Sequence, residues 1–164
     1  MINAKHLLRY IIAPTLNYLE ATTKLPLASE SAKMLLLGTQ AHESHGHYWL
    51  SQFPQGPARG GYQMEVATHD WLVNDYIATR HEIKDAISVM IPAGGAKAER
   101  MTYDLEYATA MARIFYWTKP DPLPDADDIE GLAAYWKQHW NTPSGKGSKK
   151  EFMENFRRFG IREL

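Results

Sequence analysis

The segment between Ser29 and Gly46 constrains the fold more than any other part of the chain. Its run Met34-Leu35-Leu36-Leu37, continued by Gly38 and Ala41, is apolar nearly all round a helical wheel. A helix of that kind is stable only when other elements wrap it. Ser29 offers an N-cap, and Gly46 follows the end of the pattern at about Ser44. Further helices must surround this one, and 164 residues suffice to bury one sizeable core without disulfides or a structural metal.

The remaining pattern supplies them. No segment sustains strand alternation, so the expected class is all-α, a single domain over residues 1–164 with a buried central helix. A first helix over about 3–20 carries Leu7, Leu8, Ile11, Ile12, Leu16 and Leu19, with Pro14 forcing a kink or a break. Weaker helices are expected at 65–78 and 80–91, before a break at Pro92 and Gly94-Gly95. A strong one over 102–118 places Leu105, Ala108, Thr109, Ala112 and Phe115 at core spacing. Residues 120–124, between two prolines, form a stiff connector. Asp127 with Glu130 resembles a capping box opening a helix through Trp140, and Ser148 with Glu151 opens a last helix over 148–159 that Gly160 closes.

Residues 46–62 hold four Gly and two Pro around Tyr48, Trp49 and Phe53. Loops of this length are commonly functional, and the aromatics argue for order. The three rings serve either as sugar-stacking platforms or as anchors that pin the loop.

Charge and cysteine content narrow the function. With 18 basic and 19 acidic residues the formal charge is -1, which leaves no basic excess for a nucleic-acid backbone. Lys146, Lys149, Lys150, Arg157 and Arg158 read as a solvated face of the last helix. Absence of cysteine removes thiolate nucleophiles and Cys-based zinc sites. The N-terminal apolar pieces are broken by Arg9, Tyr10 and Pro14, too interrupted for a signal peptide or a membrane span, so synthesis in the cytoplasm is expected.

One carboxylate stands out. Ala32, Leu36, Thr39 and Glu43 fall at offsets of four, seven and eleven, which puts Glu43 at the C-terminal end of the buried stripe. Desolvation and the negative end of the helix dipole both raise the pKa of an acid there, as a general acid near neutral pH requires. A helix-end glutamate can also bend to solvent or pair with Arg59 or Arg113. His42, His45, His47 and His69 invite a metal reading, but a His-Glu-x-x-His helix needs histidine at 46, which is glycine. Neither a metal nor a cofactor is expected.

The order of pieces adds a second line. Ala41-His42-Glu43-Ser44-His45-Gly46 ends a buried helix, the aromatic loop follows, and Gly60-Gly61-Tyr62-Gln63-Met64 precedes Ala67-Thr68. This resembles the lytic transglycosylase and goose-type lysozyme group of the lysozyme-like superfamily, and small tailed-phage structural-region proteins carrying that core. The likeness covers roughly residues 30–142, with Ala108 to Tyr116 and Leu132-Ala133-Ala134-Tyr135 as its later elements. Tyr62 stands where the family has Leu or Phe-Met, and Trp136 where it has Asn, leaving Asn141 as the nearest amide.

The resemblance implies a lysozyme-like fold and a muramidase acting on the peptidoglycan glycan strand between N-acetylmuramic acid and N-acetylglucosamine. It implies Glu43 as acid then base, Ser44 as its hydrogen-bonding neighbour, and Gln63 and Tyr135 in the cleft; Tyr48, Trp49, Tyr62 and Asn141 complete the expected substrate-binding set. It also implies a virion setting with other virion proteins as partners. The alternative is a virion or assembly protein using the same fold as an inactive structural module. If water is the acceptor, Glu65, Asp70 and Asp104 are the candidate bases.

Overall fold

The computed structural model describes residues 2–52, 56–91 and 95–161. Phe53 and the Pro92 to Gly94 break lie outside them. The described residues are all-α apart from one small hairpin, and buried side chains from every helix join a single core cluster.

Helix α1 (residues 4–23) is capped by the Asn3 side chain, which accepts from the His6 amide at 3.2 Å. Pro14 does not break it. The turn before the proline widens to π geometry over Leu8–Ile12, and α geometry resumes over Ala13–Thr23. A wider turn accommodates a residue that has no N–H to give to the preceding turn. The helix therefore runs past residue 20 and stops at Lys24, in the left-handed region with φ 62.

Helix α2 (Glu30–Ser44) is the expected central element. The Ser29 hydroxyl accepts from the Ala32 amide at 3.2 Å, and His45 ends the helix with φ 50. Every residue from Leu35 to Ala41 is buried. Gly38 is part of the reason: a Cβ there would stand 2.6 Å from the Phe152 ring, so its absence lets the last helix close against this face.

Strands β1 (Ala58–Arg59) and β2 (Met64–Glu65) pair antiparallel, Ala58 opposite Glu65, within and just after the region read as loop. Two-residue strands are too short to show alternation in sequence. Helix α3 (residues 66–77), helix α4 (His81–Ser88) and a 3₁₀ turn (Ala98–Thr102) follow. Helix α5 (Leu105–Trp117) starts at Asp104, whose carboxylate accepts from the Tyr107 amide at 2.9 Å. Helix α6 (Ile129–His139) is capped one residue later than expected, by Asp128 on the Gly131 amide at 2.8 Å. Helix α7 (residues 149–161) opens with the anticipated capping box of Ser148 and Glu151, and continues one residue past Gly160.

Among the described residues, no helix is long and apolar enough to cross a membrane.

Candidate active site

The C-terminal end of α2 meets α6 at Glu43. Helix α6 contributes Trp136, fully buried, with its indole 4.4 Å from the His42 ring and 5.2 Å from Phe152. That packing fixes the indole plane, and its Nε1 donates to Glu43 Oε1 at 2.9 Å. Neither arginine considered from sequence pairs with the carboxylate. Arg59 donates to the Gly56 and Ala58 carbonyls, and Arg113 to the Leu27 carbonyl. Half-buried and, among the described residues, without an ion-pair partner, Glu43 has its pKa pushed up by desolvation to about 7, against a smaller downward pull from the Trp136 hydrogen bond.

Glu43 borders an open cleft of about 790 Å³. The hairpin side supplies Trp49, Ala58, Gln63, Met64, Glu65 and Thr68; the α5 and α6 side supplies Phe115, Lys119, His139, Trp140 and Asn141. The hairpin keeps its position through two glycines. Gly60, at φ 73, lies so close to the Met101 carbonyl that a Cβ would overlap it, and Gly61 leaves room only for the His47 ring. His47 is itself buried and tied to α2 by a 2.6 Å contact between its Nδ1 and Gln40 Nε2. Burial lowers its pKa to about 4, so the pin is neutral at ordinary pH.

The structure divides the expected substrate-binding residues. Trp49, Gln63 and Asn141 line the cleft with Glu43. Gln63 adopts φ 49, its Nε2 donating to the Gly60 carbonyl at 2.7 Å, and Asn141 Oδ1 accepts from Lys137 at 2.7 Å. Tyr48 is 65% exposed and outside the cleft lining, edge-on to Trp49 with centroids 4.8 Å apart.

Three residues lie elsewhere. Ser44 is fully buried, its hydroxyl donating to the Gln40 carbonyl and accepting from the His47 amide, so it closes the helix end. Tyr62 points into the core, with its hydroxyl 3.1 Å from Thr109 Oγ1. It does not fill the cleft. Tyr135 is buried and donates to the Asp121 carbonyl at 3.1 Å, facing a separate depression.

Of the candidate bases, only Glu65 reaches the cleft. Asp70 lies 2.8 Å from His69 Nδ1, and His69 Nε2 lies 2.9 Å from the Tyr107 hydroxyl. Asp104 caps α5 and pairs with Arg100. The four histidines of the metal reading scatter to separate partners, with His42 beside Asn155 and His45 stacked on Phe159. No group of three His, Asp or Glu able to hold a metal converges among the described residues.

Trp136 is the residue that sequence reasoning missed. A hint was present in the sequence: Trp136 and Trp140 stand four residues apart, the spacing that puts two large rings on one face of a helix. Trp140 lines the cleft, 5.1 Å from Phe115 and 5.1 Å from Tyr116.

Comparison of the chain with protein-family models, with curated proteins and with solved structures found no match.

Proposed function

We propose that this protein is a lysozyme-like muramidase of the lytic transglycosylase type, cleaving the glycan strand of peptidoglycan with Glu43 as its acid and base. The observation that carries this reading is one carboxyl group, held near pKa 7, at the edge of an open cleft of oligosaccharide-scale volume. The cleft chemistry suits a sugar. Trp49 and Trp140 offer flat apolar faces, and Gln63 and Asn141 offer amides.

In this mechanism the protonated Glu43 gives its proton to the glycosidic oxygen as the C1–O bond breaks. The N-acetyl carbonyl oxygen of the same sugar stabilises C1. The Glu43 carboxylate then takes the proton of the C6 hydroxyl, whose oxygen closes on C1 to give a 1,6-anhydro product. Trp136 Nε1 holds Glu43 Oε1 throughout and leaves the other oxygen for proton transfer.

A second reading, hydrolysis, has one observation in its favour: the exposed Glu65 carboxylate lies in the same cleft and can activate water. The structural-module reading expects a cleft filled by Tyr62, Trp49 or the 92–101 segment; Tyr62 turns into the core, Trp49 stands in the lining of a cleft that stays open, and residues 92–94 lie outside the described residues. We place the activity in a virion setting, on the resemblance to small tailed-phage structural-region proteins.

Release of soluble fragments from purified peptidoglycan tests the proposal. The wild type is expected to release them and Glu43→Gln is not. No release by the wild type returns the protein to the structural-module reading.

A further inference from the structure

On the far side of Lys119 from the Glu43 cleft lies a depression of about 490 Å³. It is lined by Pro120 to Leu123 of the connector and by Arg113. Arg113 is 3% exposed, its Nε donates to the Leu27 carbonyl at 2.7 Å, and its guanidinium lies 5.3 Å from the centre of the Trp117 ring. Among the described residues no carboxylate comes within ion-pair distance of it. Glu20 acts on it only at longer range and is itself bonded to the Ala28 amide. A buried cation in this state carries a desolvation cost that an anion would offset.

Two more positive elements converge on the same depression. Lys119 is half-buried, its ammonium 3.7 Å from the Phe115 ring centre, and it borders both cavities. Ser29, the N-cap of the fifteen-residue α2, brings that helix's positive dipole end to the rim. The facing titratable groups are Tyr135, whose hydroxyl donates to the Asp121 carbonyl, and the Asp121 carboxylate, 2.9 Å from His139 Nε2.

We propose that the Arg113–Lys119 depression is a carboxylate-binding subsite contiguous with the cleft. The free end of a guanidinium matches the two oxygens of a carboxylate. The nearby Asp121 disfavours the greater charge of a phosphate dianion. The two cavities share Lys119, so the carboxylate belongs to the ligand in the cleft. This last step rests on the glycan reading above, and it assigns the group to an acidic peptide branch of the strand.

The test titrates the full-length ¹⁵N-labelled chain with N-acetylglycine, with N-acetylglycinamide and with inorganic phosphate, following the Arg113 Nε–H resonance that the Leu27 bond shelters. The carboxylate is expected to give a saturable shift, with affinity about fivefold or more above both other probes, as charge-assisted bonds require. Lys119→Gln, checked for fold by circular dichroism, is expected to lower that affinity about fivefold. A resonance unmoved by N-acetylglycine overturns the subsite, and equal response to phosphate overturns its carboxylate assignment. Peptide-bearing and peptide-stripped glycan strands then separate the two claims. The wild type is expected to prefer the peptide-bearing strand and Lys119→Gln is not. Binding of N-acetylglycine without binding of either strand retains the subsite and rejects the glycan reading.

Discussion

The Trp136 indole and the Glu43 carboxylate, 93 residues apart, are joined by a hydrogen bond of 2.9 Å. Trp136 packs against both His42 and Phe152, which also touch each other, so three helices set the position of one acidic oxygen. A donor fixed by packing needs little reorganisation when the carboxyl group changes charge.

Replacing Trp136 by Phe removes that donor and keeps an aromatic ring in the core. The hydrogen bond lowers the Glu43 pKa, so its loss raises it. The alkaline limb of the pH–activity profile is expected to move up by roughly 0.5–1 unit, with a rate loss of about tenfold from poorer positioning. An unmoved limb contradicts the assigned role.

Glu43 also couples stability to pH. Its pKa of about 7 in the fold exceeds the ordinary 4.5 of an unfolded glutamate. Its contribution to stability is therefore complete below about pH 4.5 and is lost as pH rises through about 7. Glu43→Gln removes this dependence. At about pH 8 the variant is expected to be more stable than the wild type by on the order of 2 kcal/mol, with little difference near pH 4. Denaturant midpoints at the two pH values measure it.

Gly60→Ala forces a side chain into the left-handed region and against the Met101 carbonyl. A cost of about 2–4 kcal/mol is expected, together with loss of activity, because the β1–β2 hairpin carries Gln63 and Glu65 into the cleft. Thermal unfolding and a fragment-release assay give the two readouts.

Glu65→Gln distinguishes the two chemistries. If the C6 hydroxyl closes on C1, the neutral amide at 65 leaves the rate within about threefold of wild type; if water attacks, loss of the base costs about 10²-fold or more. We expect the smaller effect, measured as initial release rate at constant pH.

Much of the fold was legible because its strongest signals are local. The apolar run 34–37 marks a wrapped helix, and the Ser148 and Glu151 pair marks a start, whatever surrounds them. The misses arise where tertiary context decides. The π turn around Pro14 depends on the core holding α1 together, and Asp128 displaces Asp127 as cap by a one-residue choice that side-chain spacing does not resolve. Glu43 was legible from its place on a buried stripe. Its neighbours were not, because adjacent residues diverge: Tyr62 enters the core while Gln63, at φ 49, faces the cleft. Trp136 departs from the expected asparagine, and only the packing of α6 on α2 brings it to the acid.

The most direct measurement is mass spectrometry of the fragments formed when purified peptidoglycan is incubated with the wild type and with Glu43→Gln. The account predicts 1,6-anhydro-muramic ends from the wild type and no fragments from the variant. Ordinary reducing ends from the wild type contradict the transglycosylase chemistry, and equal release by both proteins contradicts the role of Glu43.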